Sequence, residues 1–177
     1  MNIFDAIRGR RSIRRYKREK VPLELIEQII EAGQWAPTGK NLQYWKFIAV
    51  TDPCLMKMVK TVSPMLWGES PAAILICLDL KLTTPLLHEG VISSELAGFP
   101  AQNMMLAAHA LGIGTCAIGG FNREAVKELL DVSDDLHPVL LITLGYPAST
   151  PKPRARRLLS EIAYLNSFKN PWRDRDD

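Results

Sequence analysis

Ala72-Ala-Ile-Leu-Ile-Cys-Leu-Asp-Leu80 decides the fold. The run is apolar at every position but Asp79. An uninterrupted apolar run of this length reads as a strand buried on both faces. It is far too short to span a bilayer, and no other apolar run approaches that length. A strand buried on both sides needs a layer on each side, and the flanking segments supply candidates. Residues 2–9 read as a short helix ending near Gly9. A second helix begins at Val21-Pro22, carries Leu25, Ile26, Ile29, Ile30 and Gly33 at helical spacing, and stops at Pro37. Trp45 to Val50 reads as a strand, and Asp52-Pro53 opens a helix through about Val62. Residues 81–90 read as a loop.

The longest helical pattern runs from about Ile92 to Leu111, with a kink or a late start expected at Pro100 and a cap at Gly112. Gly114 to Ile118 is a short strand and Gly119-Gly120 a turn. Asn122 caps a helix to about Leu130, and Pro138 to Tyr146 contains the last strand. Helices and strands alternate without regular βαβ repeats. That order favours an α+β architecture, with helices on both faces of a four- or five-stranded sheet.

The chain has 177 residues, 47% of them hydrophobic, and a net charge of +3. That is one domain, or one domain plus an arm, with enough apolar residues for a core. Charge is unevenly placed. Residues 1–20 carry a local +6, residues 21–151 a local −6 and residues 152–177 a local +3. Two basic ends flank an acidic middle. The ends either converge on one anion or grip nucleic acid. The acidic middle and the lack of a stacking aromatic series argue against nucleic acid. Cys54, Cys77 and Cys116 form no C-x-x-C, which suits reduced thiols in the cytoplasm. No signal peptide is read at the N-terminus. His88, His109 and His137 lack metal-ligand spacing, and no metal is expected. The tail beyond residue 150 is irregular, yet Leu158, Leu159, Ile162, Tyr164, Leu165, Phe168 and Trp172 make it too apolar for a free linker. A partner subunit is one candidate for what it packs on.

Four segments carry chemistry. Arg10-Arg11-Ser12-Ile13-Arg14 concentrates planar donor forks suited to a phosphate. In Ala36-Pro37-Thr38-Gly39-Lys40-Asn41-Leu42-Gln43, amides two residues apart suit a heterocycle edge with alternating C=O and N–H groups. Gly119-Gly120 would let backbone N–H groups approach a flat ligand. Gly112-Ile-Gly114-Thr-Cys-Ala117 fits the dinucleotide fingerprint only formally, because a helix precedes it and a strand follows.

Taken in order with Pro100-Ala-Gln102-Asn103, Gly145-Tyr146-Pro147 and the tail arginines Arg154 and Arg156, these segments resemble the flavin-dependent nitroreductase family over about residues 3–165. The resemblance implies a mixed, mainly antiparallel sheet with helices on both faces. It implies a homodimer in which residues 1–150 bind FMN and residues 151–177 form an arm packed on the partner. Electrons would come from NADH or NADPH by a ping-pong route and pass to a small-molecule acceptor such as a nitroaromatic or quinone, without nucleic acid or membrane. It places Arg10, Arg11, Ser12 and Arg14 at the phosphate, with Arg154 and Arg156 completing that site. Pro37, Thr38, Asn41 and Gln43 would line the flavin, commonly from the other subunit. Ile118, Gly119 and Gly120 would lie against its ring. No catalytic side chain is expected, since flavin N5 carries the hydride. Two positions depart from the family pattern: Tyr44 stands where proline is frequent, and Gly119 where some members carry glutamate. The alternative is a flavin carrier or sensor without NAD(P)H turnover.

Overall fold

The computed structural model describes residues 1–83 and 92–173. Four strands, β1 (Trp45–Val50), β2 (Ala72–Asp79), β3 (Gly114–Ile118) and β4 (Leu136–Gly145), form one sheet in the order β1-β2-β4-β3. Every neighbouring pair is antiparallel. β2 therefore lies inside the sheet, and its residues Ala72 to Leu78 are all buried. Alternation along the strand splits them between two cores. Ala72, Ile74, Ile76 and Leu78 point into one, packed with Ile26 and Ile29 of α2 (Leu23–Gln34) and Met104 and Ala108 of α5 (Ile92–Ala110). Ala73, Leu75 and Cys77 point into the other, with Met56 and Val59 of α3 (Pro53–Thr61) and Val126 of α6 (Arg123–Leu129). The helices expected on both faces are thus present. α2 and α5 pack closely, since a Cβ built on Gly33 would lie 2.3 Å from the Met104 Cε.

Capping signals fall where the sequence puts them. Asp52 Oδ1 accepts the N–H groups of Cys54 and Leu55 at the start of α3. Asn122 Oδ1 accepts the Ala125 N–H at the start of α6. In α1 (Ile3–Gly9), read as starting at residue 2, Asn2 is the cap instead and accepts the Asp5 N–H.

Three expectations are corrected. Residues 81–90 do not begin as loop: β2 passes directly into a helical turn, α4 (Leu80–Thr83). There Asp79 Oδ1 accepts the Lys81 N–H and the Thr83 hydroxyl bonds the Asp79 carbonyl. The rest of that stretch, 84–91, lies outside the described residues. β4 begins two residues before Pro138 and includes it, because the ladder shifts register between Ile76 and Cys77. A bulge of this kind tolerates a residue without an N–H. The tail is not wholly irregular, since α7 (Leu159–Ile162) forms one turn in it.

α5 shows no late start at Pro100 and runs through it. A proline there frees the carbonyl four residues earlier. That carbonyl, of Leu96, accepts instead from the indole N–H of buried Trp45 at 3.2 Å. Trp45→Phe keeps an aromatic ring of smaller size, removes the N–H and strands the carbonyl. We expect it to cost about 1–3 kcal/mol, read as a lower urea midpoint at unchanged m-value.

Candidate functional site

The N-terminal arginine segment is held against the open edge of β3. Ser12 pairs with Thr115 in a parallel bridge, and the Ile13 N–H donates to the Thr115 carbonyl at 2.8 Å. Further on, the Lys17 N–H donates to Tyr146 and the Ala148 N–H to Arg15, tying the segment to the chain leaving β4. Ile13 is buried against Gly114, where a Cβ would come within 2.8 Å of it. Alternation along this extended stretch turns Ser12 and Arg14 to the side opposite Ile13.

On that side lies a cleft of about 590 Å³. Arg10, Ser12 and Arg14 line it together with Lys152, Arg154 and Arg156 of the tail. The two basic ends of the sequence therefore meet within one chain. Among the described residues, no carboxylate lines the cleft and no acid lies within ion-pair distance of these cations. Unpaired, convergent arginines and a hydroxyl form a donor set suited to a phosphate dianion. Arg11 also lines the cleft, but its guanidinium donates to the Arg8 and Arg10 carbonyls at 2.6 and 2.9 Å, at the end of α1. Its counterpart in Arg14 reaches only the Ser12 carbonyl, at 3.4 Å.

Behind Arg10 and Arg11 is a smaller hollow of about 200 Å³, bordered by His109 and Thr150. Burial, then the charges of Arg10 and Arg11, push the His109 imidazole below its usual range. It is therefore neutral at pH 7 and adds no further charge beside the arginines. Cys116 is buried on β3 below Ser12. Burial raises its thiol, opposed by Arg14, a hydrogen bond with Ser12, and Arg10.

The glycine pair lies just beyond β3. Gly119 and Gly120 are exposed, whereas Ile118 is buried in the α3–α6 core and can offer only its backbone outward. A Cβ at Gly119 would meet no atom within 4 Å, so a flat ligand has unobstructed approach there. At Gly120 a Cβ would come within 2.5 Å of Met65. The loop carrying Met65 also carries Gly68, which abuts the Arg14 carbonyl. One loop, about 62–71, thus borders both the arginine segment and the glycine pair. The sequence reading missed it, although Ser63-Pro64, Trp67-Gly68 and Ser70-Pro71 mark it as a turn-rich stretch.

Pro37, Thr38, Asn41 and Gln43 line neither cleft within this chain, nor do Ile118, Gly119 and Gly120. The 36–43 loop is nonetheless built to an unusual shape. Lys40, Asn41 and Gln43 have φ of 52°, 54° and 47°, in the left-handed region that non-glycine residues seldom occupy. The Thr38 hydroxyl supports it by accepting the Gln43 N–H, and the Gln43 amide donates to the Asn41 carbonyl. Strain of this kind clusters at ligand-binding loops.

The tail leaves its apolar side chains uncovered. Leu158, Leu159, Ile162 and Phe168 are exposed, Phe168 by 87%, as are Ile3, Phe4 and Ile7 of α1. The tail is still ordered internally: the Tyr164 and Phe168 rings meet edge to face at 4.9 Å, and the Trp172 N–H donates to Ala163. Among the described residues, no helix is long and apolar enough to cross a membrane.

Comparison with known proteins bears on the family and the fold. The model of the Nitroreductase family matches residues 7–77 and 60–146. The chain is 31% identical over 189 residues to the FMN reductase (NADPH) of Bacillus subtilis, covering 94% of this chain and 74% of that protein. It is 27% identical over 188 residues to an NADH dehydrogenase of Thermus thermophilus, covering 86% and 90%. Among solved structures, an FMN-dependent nitroreductase from Clostridium difficile R20291 superposes with a TM-score of 0.81 at 26% identity, covering 93% of this chain and 99% of that one.

Proposed function

The chain belongs to the nitroreductase family, and from that premise we propose that it is an FMN-dependent NAD(P)H oxidoreductase. In this reading it works as a homodimer and passes electrons from NADH or NADPH to a flat small-molecule acceptor such as a nitroaromatic or a quinone. The observation that carries the reading is the meeting of Arg10, Ser12 and Arg14 with Arg154 and Arg156 in one cleft that no carboxylate lines among the described residues.

The residues present fit the cofactor. Arg10, Arg14, Arg154 and Arg156 would hold the FMN phosphate by charge-assisted hydrogen bonds, and Ser12 would add a hydroxyl. Arg11 contributes mainly by keeping the end of α1 capped and the segment in place. The open space at Gly119 lets the ring lie close to backbone N–H groups. Those groups stabilise negative charge developing on a ligand edge. Asn41 and Gln43 offer amide donors and acceptors, and Pro37 and Thr38 shape the turn that presents them. When bound, FMN supplies the hydride and electron chemistry, so the chain need only bind, orient and exclude competitors.

Residues 1–150 form the FMN-binding unit, and residues 151–177 act as an arm that packs on the partner. The exposure of Leu158, Ile162 and Phe168 of the arm and of Ile3, Phe4 and Ile7 of α1 supports this, because exposed apolar patches of this kind mark interaction surfaces. Burying them in a second copy would make an interface of the large apolar kind.

Purified protein is expected to be yellow, to release FMN on denaturation and to sediment as a dimer. Anaerobic NADH or NADPH should bleach the flavin promptly. Protein that binds FMN but is not bleached by either nicotinamide would be a carrier or sensor instead. Protein that cannot be reconstituted with FMN would overturn the reading altogether.

A further inference from the structure

Tyr16 and Thr143 lie 127 positions apart in sequence, and their hydroxyl oxygens are 2.6 Å apart. The Tyr16 hydroxyl also lies 2.6 Å from the Ile13 carbonyl, in the middle of the arginine segment. The Thr143 hydroxyl lies 3.2 Å from the Cys116 carbonyl. Two hydroxyl protons serve these three contacts. A carbonyl only accepts, so the Tyr16 proton goes to Ile13. The Thr143 proton then goes to the Tyr16 oxygen, which fills both short contacts and leaves the longer one to Cys116 without a proton. Burial raises the Tyr16 hydroxyl far above its usual range, against the hydrogen bond from Thr143. Tyr16 therefore stays protonated and keeps donating at any working pH.

The surroundings are shaped to this contact. Gly145 leaves room for the tyrosine ring, since a Cβ there would come within 2.8 Å of Tyr16 Cδ1. Thr143 is 2% exposed and interrupts the apolar run of β4 with its only hydroxyl. In a core strand an apolar residue would cost nothing in desolvation, so a buried hydroxyl needs a partner. Tyr16 is that partner.

We infer that Tyr16, held by Thr143, is a positioning residue for phosphate recognition: its hydroxyl pins the Ile13 carbonyl inward and so presents Ser12 and Arg14 to the cleft. The inference rests on the reading of that cleft as the FMN phosphate site. It goes beyond that reading because neither residue touches the cleft.

The test compares FMN with riboflavin, which has the same ring and no phosphate. Apo forms of the full-length wild type, Tyr16→Phe, Thr143→Val and the double variant are titrated with both flavins by fluorescence quenching, and Tm is recorded for each. Wild type should prefer FMN. Tyr16→Phe should weaken FMN about tenfold by leaving the Ile13 carbonyl unpaired, and change riboflavin affinity less than about twofold. Thr143→Val should give a smaller loss of FMN preference, and the double variant no more than Tyr16→Phe alone. An unchanged FMN preference in Tyr16→Phe would overturn the inference. So would an equal weakening of both flavins, which is the signature of a merely structural tyrosine. If Tyr16→Phe fails to fold, Thr143→Val decides on the same criterion. Wild-type protein that binds both flavins equally would instead remove the phosphate-site reading itself.

Discussion

Arg14→Ala is expected to weaken FMN binding roughly ten- to hundredfold, about 1.5–3 kcal/mol, with little change in fold stability. The two effects separate because of how the side chain sits. Arg14 is exposed and its guanidinium makes only a marginal 3.4 Å contact with the Ser12 carbonyl. Removing it breaks nothing that holds the chain together, so unfolding should shift by no more than about 0.5 kcal/mol. A charge-assisted bond to a phosphate is worth about 1.5–3 kcal/mol. Titration of apo protein with FMN reads the loss, and riboflavin serves as the control that should not respond. Salt should narrow the gap between variant and wild type, because exposed charges are screened. An FMN affinity equal to wild type would show that Arg14 does not reach the phosphate.

Gly68→Ala attacks the same segment from behind and should do more damage. Gly68 has φ of +77°, where a side chain costs about 1–2 kcal/mol. Its missing Cβ would also lie 2.3 Å from the Arg14 carbonyl oxygen. That atom is backbone, fixed by the pairing of Ser12 with Thr115, and cannot swing aside as a side chain would. Either the 62–71 loop or the arginine segment must move. We expect a stability loss above about 2 kcal/mol together with poor FMN retention, read by urea unfolding and by flavin content after gel filtration. Gly119→Ala is the matched control, since a Cβ there meets no atom. It should unfold at the wild-type urea concentration. A normal midpoint for Gly68→Ala would show that the loop yields freely.

The fold was legible where burial is periodic. β2 reads directly as a doubly covered strand because its neighbours on both faces are apolar, and Asp52 and Asn122 mark their helix starts with local hydrogen bonds. Pro138 misled about the start of β4. A proline is admitted to a strand at a bulge or along an unpaired edge, and both depend on the partner strands, which local sequence does not carry. At the site, the convergence of the chain ends was visible in the distribution of charge. Individual roles were less so. Arg11 looks like its neighbours in sequence, yet its guanidinium is spent on the carbonyls at the end of α1. Tyr16 and Thr143 are commonplace residues in separate contexts, and only the packing of the N-terminal segment between β3 and the exit of β4 makes them a pair.

The position of the arginine segment along β3 has a consequence for solubility. β3 is an edge of the sheet. A bare edge is a template for adding strands from other molecules. Ser12 and Ile13 occupy part of that template with a single parallel bridge and a twist of charged chain, a combination that discourages further pairing. The segment proposed to hold the cofactor phosphate is thus also the guard on the sheet's open rim. A change that shifts the backbone of this segment is expected to promote aggregation along with loss of FMN, whereas Arg14→Ala, which leaves the backbone pairing intact, should lose FMN alone.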